Sequence, residues 1–412
     1  MASSGSGSTM SPKRRRSASL EYGVVENCAP NEPFSLNGFD FVFDACAIRG
    51  ERMYMEDRWC AVLDEDKEAL VLAVYDGHGG ASVSSHLSRN LAREVLRETS
   101  LREDPAGAFK RAFKRVDDVV CAENPGEMRG TFGRPGAGST AIMALIMPPK
   151  MYIANVGDSR ATTFDSHGWE RFVSADQRPS VSEEKERIVR DGGFVKRGRD
   201  GLLRTGGILA VSRAFGNAGI KQFVSVEPEV SVVDLDTVDS LILCSDGLTD
   251  VMGSKLASET MRAVPQGTMP SSPSPVRTRR VANSLVTLAR VRQSKDNISV
   301  VVLQVRRSNA ALPFTSLETP VSNSMSRSKS QTPMTVPYNP VMPSSIGSDD
   351  EHVIGVSLEV HSGEVRLEVR VDAPNELIDE EMFDGLSSPA RSSIERDSTQ
   401  AITPIVSPSA VH

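Results

Sequence analysis

Apolar residues run unbroken from Ala69 to Tyr75 (Ala-Leu-Val-Leu-Ala-Val-Tyr) and stop at Asp76-Gly77. A continuous run of that length, closed by a turn signal, predicts a strand buried on both faces. Directly afterwards Val83, Leu87, Leu91 and Val95 recur at every fourth position, and beyond Pro105 the set Phe109, Ala112, Phe113, Val116 and Val120 falls on one side of a helical wheel. Each is the stripe of a helix laid on a core. Residues 140–147 and 151–164 are β-type runs separated by Pro148-Pro149-Lys150, which reads as a hairpin. A short helix is expected over 183–190, closed by Gly192-Gly193. Residues 224–235, 240–244 and 298–305 read as further strands, the last one buried. Many strands interspersed with a few helix pairs predict a layered α+β architecture.

The pattern also sets boundaries. With 412 residues the chain exceeds an ordinary single domain, yet only 39% of it is hydrophobic and 5% aromatic. Polar tails diluting a normal core account for both figures. Residues 1–36, rich in Ser, Gly and Pro, are expected to form a disordered N-terminal tail. Its basic block Lys13-Arg14-Arg15-Arg16 reads either as a solvated charge run or as a nuclear-import signal. The folded domain is expected over 37–306, with 266–280 (QGTMPSSPSPVRTRR) as an exposed insertion. From 307 to 412 Ser, Pro and Thr dominate, and the expectation is a largely disordered tail carrying a candidate hairpin at 353–371. Either tail is a candidate for contact with other proteins.

Charge and cysteines narrow the class. A net charge of −7 carries no basic excess, so nucleic acid is not an expected partner. Cys28, Cys46, Cys60, Cys121 and Cys244 are scattered and odd in number, without a C-x-x-C pair, which argues against a disulfide framework or a thiolate zinc site. No apolar leader or bilayer-length run is present, and Ala2 stands where N-myristoylation requires glycine. A soluble monomer without membrane attachment, cytoplasmic or nuclear, is the expectation.

The chemistry lies in where the acids fall. Asp76 ends an apolar strand; Asp158 follows the strand Met151 to Val156; Asp246 lies just past the strand ending at Cys244; Asp296 precedes the last strand; and Glu56-Asp57 follows Arg52. Acids at the mouths of several buried strands can converge on one cleft, where they need compensating cations. Oxygen donors alone favour hard ions such as Mg²⁺, Mn²⁺ or Ca²⁺ over zinc. Taken singly, each acid has a bland reading: Asp76-Gly77 as a turn, Asp158 as a hairpin residue, Asp296 as a loop acid or cap, Glu56-Asp57 as a solvated pair.

Their order along the chain resembles the metal-dependent protein phosphatases of the PPM class, or type 2C. The matching pieces are Arg52-x-x-Met55-Glu56-Asp57, Asp76-Gly-His-Gly-Gly80, Gly138-Ser139-Thr140, Asn155-Val-Gly-Asp-Ser-Arg160 and Asp176-Gln-Arg-Pro179. They continue with Glu186-Arg187-Ile188 leading to Gly192-Gly193, Leu209-Ala-Val-Ser-Arg-Ala-Phe-Gly216, Asp246-Gly-Leu-Thr-Asp250 and Asp296-Asn297-Ile-Ser-Val300. The resemblance spans about Phe39 to Val305. It implies a four-layer α-β-β-α sandwich of two antiparallel sheets flanked by helices, hydrolysing phosphoserine and phosphothreonine in phosphoprotein substrates with two Mg²⁺ or Mn²⁺ ions. It further implies that Asp76 bridges the ions and the Gly77 carbonyl binds one. Glu56, Asp246 and Asp296 complete the pair with Asp57 close by, and Asp158 and Asp250 match a third, weaker site. Arg52 matches the residue that grips phosphate and His78 the general acid. Two departures stand out: Asn217 where the family usually has Asp, which is expected to affect local packing more than catalysis, and Asp176-Gln177-Arg178-Pro179 where it has Asp-His-Lys-Pro.

Two other classes compete. Gly133-Arg-Pro-Gly-Ala-Gly138-Ser139-Thr140 has P-loop-like glycine spacing, but Ser139 holds the lysine position and a β-type run follows instead of a helix. A phosphatase-like scaffold that holds phosphoproteins without hydrolysis is the alternative function; the complete ligand set argues against it.

Overall fold

The computed structural model describes residues 18–20, 22–124, 136–264, 273–308, 354–361 and 364–371. The first of its two compact units, Met1–Ser324, holds two stacked sheets. The seven-stranded sheet runs, in spatial order, Ala18–Leu20, Gly23–Glu26, Arg58–Asp64, Ala69–Tyr75, Ala141–Met147, Lys150–Val156 and Glu229–Asp234. The six-stranded sheet runs Glu170–Val173, Arg160–Phe164, Ser240–Cys244, Ile298–Arg307, Phe39–Ile48 and Phe34–Leu36. Pairing is antiparallel except between Gly23–Glu26 and Arg58–Asp64.

Strand Ala69–Tyr75 shows why its sequence is apolar at every position. Val71, Ala73 and Tyr75 face one hydrophobic cluster together with Leu87 and Leu91 of helix Ser82–Leu96 and Phe109 and Phe113 of helix Pro105–Glu123. Leu70, Leu72 and Val74 face the other cluster with Phe41 and Phe43, Leu241 and Leu243, and Val301 and Leu303 of the second sheet. Both faces are dry, so alternation vanishes. Helix Pro105–Glu123 starts where Asp104 accepts a hydrogen bond from Gly107 N at 2.9 Å, with Pro105 at the first helical position. On the far side, helix Pro275–Val291 packs on Phe39–Ile48 and Ile298–Arg307. The layers are therefore helix, sheet, sheet, helix, as the α+β expectation has it.

Three boundaries differ from the sequence reading. Strand structure begins ahead of residue 37, because Ala18–Leu20 and Gly23–Glu26 extend the first sheet and Phe34–Leu36 adds an edge strand to the second; a short strand with few apolar residues carries little periodic signal. The stretch 151–164 is not one arm of a hairpin: Lys150–Val156 lies in the first sheet and Arg160–Phe164 in the second. Of the insertion expected at 266–280, residues 266–272 lie outside the described residues, but 275–280 form the opening of helix Pro275–Val291. Ser274 caps it, and Arg277 is buried with Nη1 3.1 Å from Asp239, an ion pair that a basic, Pro/Ser-rich sequence does not advertise. Residues 1–17 and the basic block lie outside the described residues. In the second unit, Met325–His412, strands Ile354–His361 and Glu364–Val371 pair antiparallel with His361 opposite Glu364.

Candidate active site

Strand register brings the acids to one end of the sandwich. Arg58 pairs with Tyr75, so Asp57 and Asp76 leave adjacent strands of the first sheet side by side. In the second sheet Arg160 pairs with Cys244 and Cys244 with Val300, which sets Asp158, Asp246 and Asp296 at the same edge. The two edges are joined where Glu56 N–H donates to Asn297 Oδ1 at 2.7 Å, and within each edge the strand ends are drawn together by tight backbone contacts. A Cβ at Gly77 would fall 2.5 Å from the Glu56 carbonyl, and one at Gly247 would fall 1.9 Å from the Asn297 carbonyl. Only glycine permits either approach.

The acids form two tiers. Glu56, Asp76, Asp246 and Asp296 are half-buried, while Asp57 and Asp158 are buried. Among the described residues, no three His, Cys, Asp or Glu side chains already stand in a ready-made coordination sphere. Their electrostatics nevertheless record how close they are. Asp76 and Asp246 lie within hydrogen-bonding reach of each other. Burial, then the charge of Asp246, pushes Asp76 well above the carboxylate range; burial and Asp250 raise Asp246 to about 6. Burial raises Asp57 to about 7, and burial with Asp246 raises Asp158 to about 8. Asp57 Oδ2 has no hydrogen-bond partner, although the Ser245 and Ser299 hydroxyls lie near the carboxyl and soften its shift. Buried acids that repel one another and leave an oxygen unpaired are a donor set short of positive charge. All the donors are oxygens, so the residues fit hard divalent cations.

Asp76 is fixed by Thr140, whose N–H donates to the Asp76 carbonyl at 2.9 Å and whose Oγ1 accepts from Asp76 N–H at 3.1 Å. Next to it Gly77–His78 pairs with Gly138–Ser139, which also pairs with Phe215–Gly216, in a three-stranded sheet of very short strands. That sheet sets Asn217 beside His78: Asn217 Oδ1 is 2.9 Å from His78 Nε2, and Asn217 Nδ2 donates to the Gly136 carbonyl at 3.1 Å. Burial lowers the His78 pKa and the Asn217 bond partly restores it. Asn217, read from sequence as a packing position, is thus the hydrogen-bond partner of His78. It adopts φ 53°, which Asn tolerates better than most residues.

Arg52 sits on the exposed rim, with Nη2 2.5 Å from Asp296 Oδ2. Its loop hangs on Asn297, a residue without an assigned role in the sequence. Asn297 Nδ2 donates to the carbonyls of Arg49 (2.8 Å) and Tyr54 (3.0 Å), and its Oδ1 accepts from Glu56 N–H (2.7 Å). Asp158 and Asp250 share one arginine: Arg178 Nε lies 3.0 Å from Asp158 and Nη2 2.7 Å from Asp250. A cation binding that pair of acids would have to compete with Arg178, the residue that stands where the family usually has lysine.

The family is now decided on independent grounds. A sequence model of protein phosphatase 2C matches residues 41–298. "Probable protein phosphatase 2C 11" of Arabidopsis thaliana is 31% identical over 292 residues, covering 68% of this chain and 73% of that protein. "Probable protein phosphatase 2C 45" of Oryza sativa subsp. japonica is 34% identical over 273 residues, covering 66% and 89%. A solved serine-threonine phosphatase 2C from Toxoplasma gondii superposes with a TM-score of 0.52 at 25% identity, over 68% of this chain and 98% of that one. The chain belongs to the protein phosphatase 2C family, a family of protein phosphatases, and has its α+β fold.

Proposed function

We propose that this chain hydrolyses phosphoserine and phosphothreonine in proteins, using two Mg²⁺ or Mn²⁺ ions. The observation that carries the reading is the convergence of Asp57, Asp76, Asp158 and Asp246 from two sheets at one end of the sandwich, with raised proton affinities and an unpaired buried Asp57 oxygen. Glu56, Asp76, the Gly77 carbonyl, Asp246 and Asp296 would hold the ions, with Asp57 behind them. When bound, the ions supply Lewis acidity at the phosphoryl oxygens and activate the attacking water. A third, weaker ion at Asp158 and Asp250 is the least supported part, because Arg178 already pairs with both.

The protein's own groups do the rest. The Arg52 guanidinium binds phosphate oxygens at the rim, a task for which its planar fork of permanent donors suits it. Its bond to Asp296 aims that fork at the cleft. His78, held through Nε2 by Asn217, gives a proton to the departing serine or threonine oxygen; its lowered pKa makes the imidazolium a stronger acid. The cytoplasm or nucleus is the compartment this reading favours, supported by five free cysteines.

Hydrolysis of p-nitrophenyl phosphate and of a phosphothreonine peptide should depend on Mn²⁺ and stop with EDTA. Asp76→Asn and Asp246→Asn should each lower the rate at least about 100-fold, beyond the ~10–100-fold typical of groups that only support a ligand. Near-normal rates for both variants at saturating Mn²⁺ would refute the assignment. Metal binding without turnover by the wild type would favour the scaffold.

A further inference from the structure

The loop that carries Arg52 also carries the two most exposed large hydrophobic residues among those described, Met53 (79% accessible) and Tyr54 (70%). Isolated apolar side chains on a surface are ordinary, but adjacent ones beside a reaction centre form a patch with a place in the chemistry. Together they leave on the order of 300 Å² unburied, the scale of one or two aromatic side chains.

The backbone beneath them is fixed. Asn297, itself buried, holds the Arg49 and Tyr54 carbonyls, and Arg49 Nη1 donates to the Met53 carbonyl at 3.3 Å. Gly50 packs so closely that a Cβ there would fall 2.1 Å from the Asp296 carbonyl. A loop ordered before binding loses little entropy on binding, so apolar groups on it count at nearly full value.

What the patch borders is a depression of ≈ 720 Å³. Tyr22, Arg49, Met53, Tyr54, Glu56 and Gly79-Gly80 are among the residues that line it. That volume lies within the roughly 300–1,000 Å³ of ligand-binding clefts. Gly79-Gly80 directly follows His78 and presents bare backbone, and nothing lies within 4 Å of where a Cβ at Gly80 would stand. An extended peptide can lie over such a glycine floor while one of its side chains meets the Met53–Tyr54 wall.

We propose that this depression is a specificity subsite for a large apolar residue, aliphatic or aromatic, within two positions of the phosphorylated serine or threonine. The occupant is the substrate's own chain, because the depression is continuous with the catalytic loop: Arg52 precedes Met53, and Glu56 and Gly79-Gly80 belong to both. The proposal rests on the phosphatase reading above.

The test is a panel of phosphothreonine peptides differing only in having Leu or Phe, or else Ser or Glu, at positions −2 to +2. Wild-type protein should prefer the apolar peptides by about tenfold in kcat/KM, mainly through KM. In the double variant Met53→Ser/Tyr54→Ser the apolar peptides should fall to the level of the serine peptides. Both residues are exposed, so folding is spared, and circular dichroism verifies it. Fluorescence anisotropy with labelled peptides of the same panel reads the subsite independently of turnover. Equal affinity of the wild type for all flanking residues, or discrimination that survives in the double variant, overturns the subsite. A change of oligomeric state in the variant without a change in peptide preference also overturns it and assigns the patch to self-association. Failure of Mn²⁺-dependent p-nitrophenyl phosphate hydrolysis would sink the phosphatase reading instead, leaving the anisotropy result to decide the subsite.

Discussion

Asp57→Asn separates metal holding from fold stability, because the two should move in opposite directions. Asp57 is buried, its Oδ2 is unpaired, and burial lifts its pKa from 3.8 to about 7. A carboxyl whose folded pKa is raised binds its proton more tightly in the folded state. Its contribution is fully present below pH 3.8 and is lost as pH rises through about 7. At ~1.4 kcal/mol per tenfold change in proton affinity, the loss approaches about 4 kcal/mol at pH 8, an upper bound because Asp246 and Asp296 share the same field. Asn has nearly the same shape and no charge, and the Ser245 and Ser299 hydroxyls nearby can pair with an amide. In EDTA the variant should therefore be more stable than the wild type at pH 8, by roughly 2–4 kcal/mol. That advantage should shrink as pH falls toward 4. With millimolar Mn²⁺ the order should narrow or reverse, because the wild type gains more from ligand linkage than a variant lacking one carboxylate. Urea unfolding at pH 4, 6 and 8, with EDTA or with Mn²⁺, measures every part of this. An Asp57→Asn protein that is less stable than the wild type in EDTA at pH 8, or a difference independent of pH, would refute the reasoning.

Asn297→Ala removes three hydrogen bonds to the Arg49–Glu56 loop and should cost about 2–4 kcal/mol at ~1 kcal/mol each plus unsatisfied carbonyls. It should also raise KM for phosphopeptide by loosening Arg52, which steady-state kinetics and denaturation read together; an unchanged KM would detach Arg52 from its loop's geometry. His78→Gln should lower turnover far more for alkyl than for nitrophenyl phosphates, since only the poor leaving group needs a proton; a leaving-group series with parallel losses would count against His78 as the acid. Cys60 and Cys244, buried and each raised to about 12, should resist Ellman's reagent in the native protein at pH 8 and react after denaturation; rapid native labelling of either would contradict their burial.

Local sequence settled whatever a single element decides alone. Ala69–Tyr75 is apolar throughout because both its faces are dry, and the stripes of Ser82–Leu96 and Pro105–Glu123 show which side each helix buries. The motif order was enough to point to the family. Other features depend on partners distant in the chain, and only tertiary structure decided them. Short peripheral strands such as Gly23–Glu26 gain their stability from the strand they join, Arg58–Asp64, and so leave no periodicity to find. Asn217 and Asn297 look like ordinary polar residues until the fold brings one against a histidine 139 positions away and the other against the Glu56 amide 241 positions away. The pairing of Arg178 with both Asp158 and Asp250 likewise waits on the fold, which brings the loop after Glu170–Val173 against the end of the short helix Asp246–Thr249. Hydrophobic burial is written residue by residue, whereas hydrogen bonds and ion pairs between strand ends exist only once the sheets have closed.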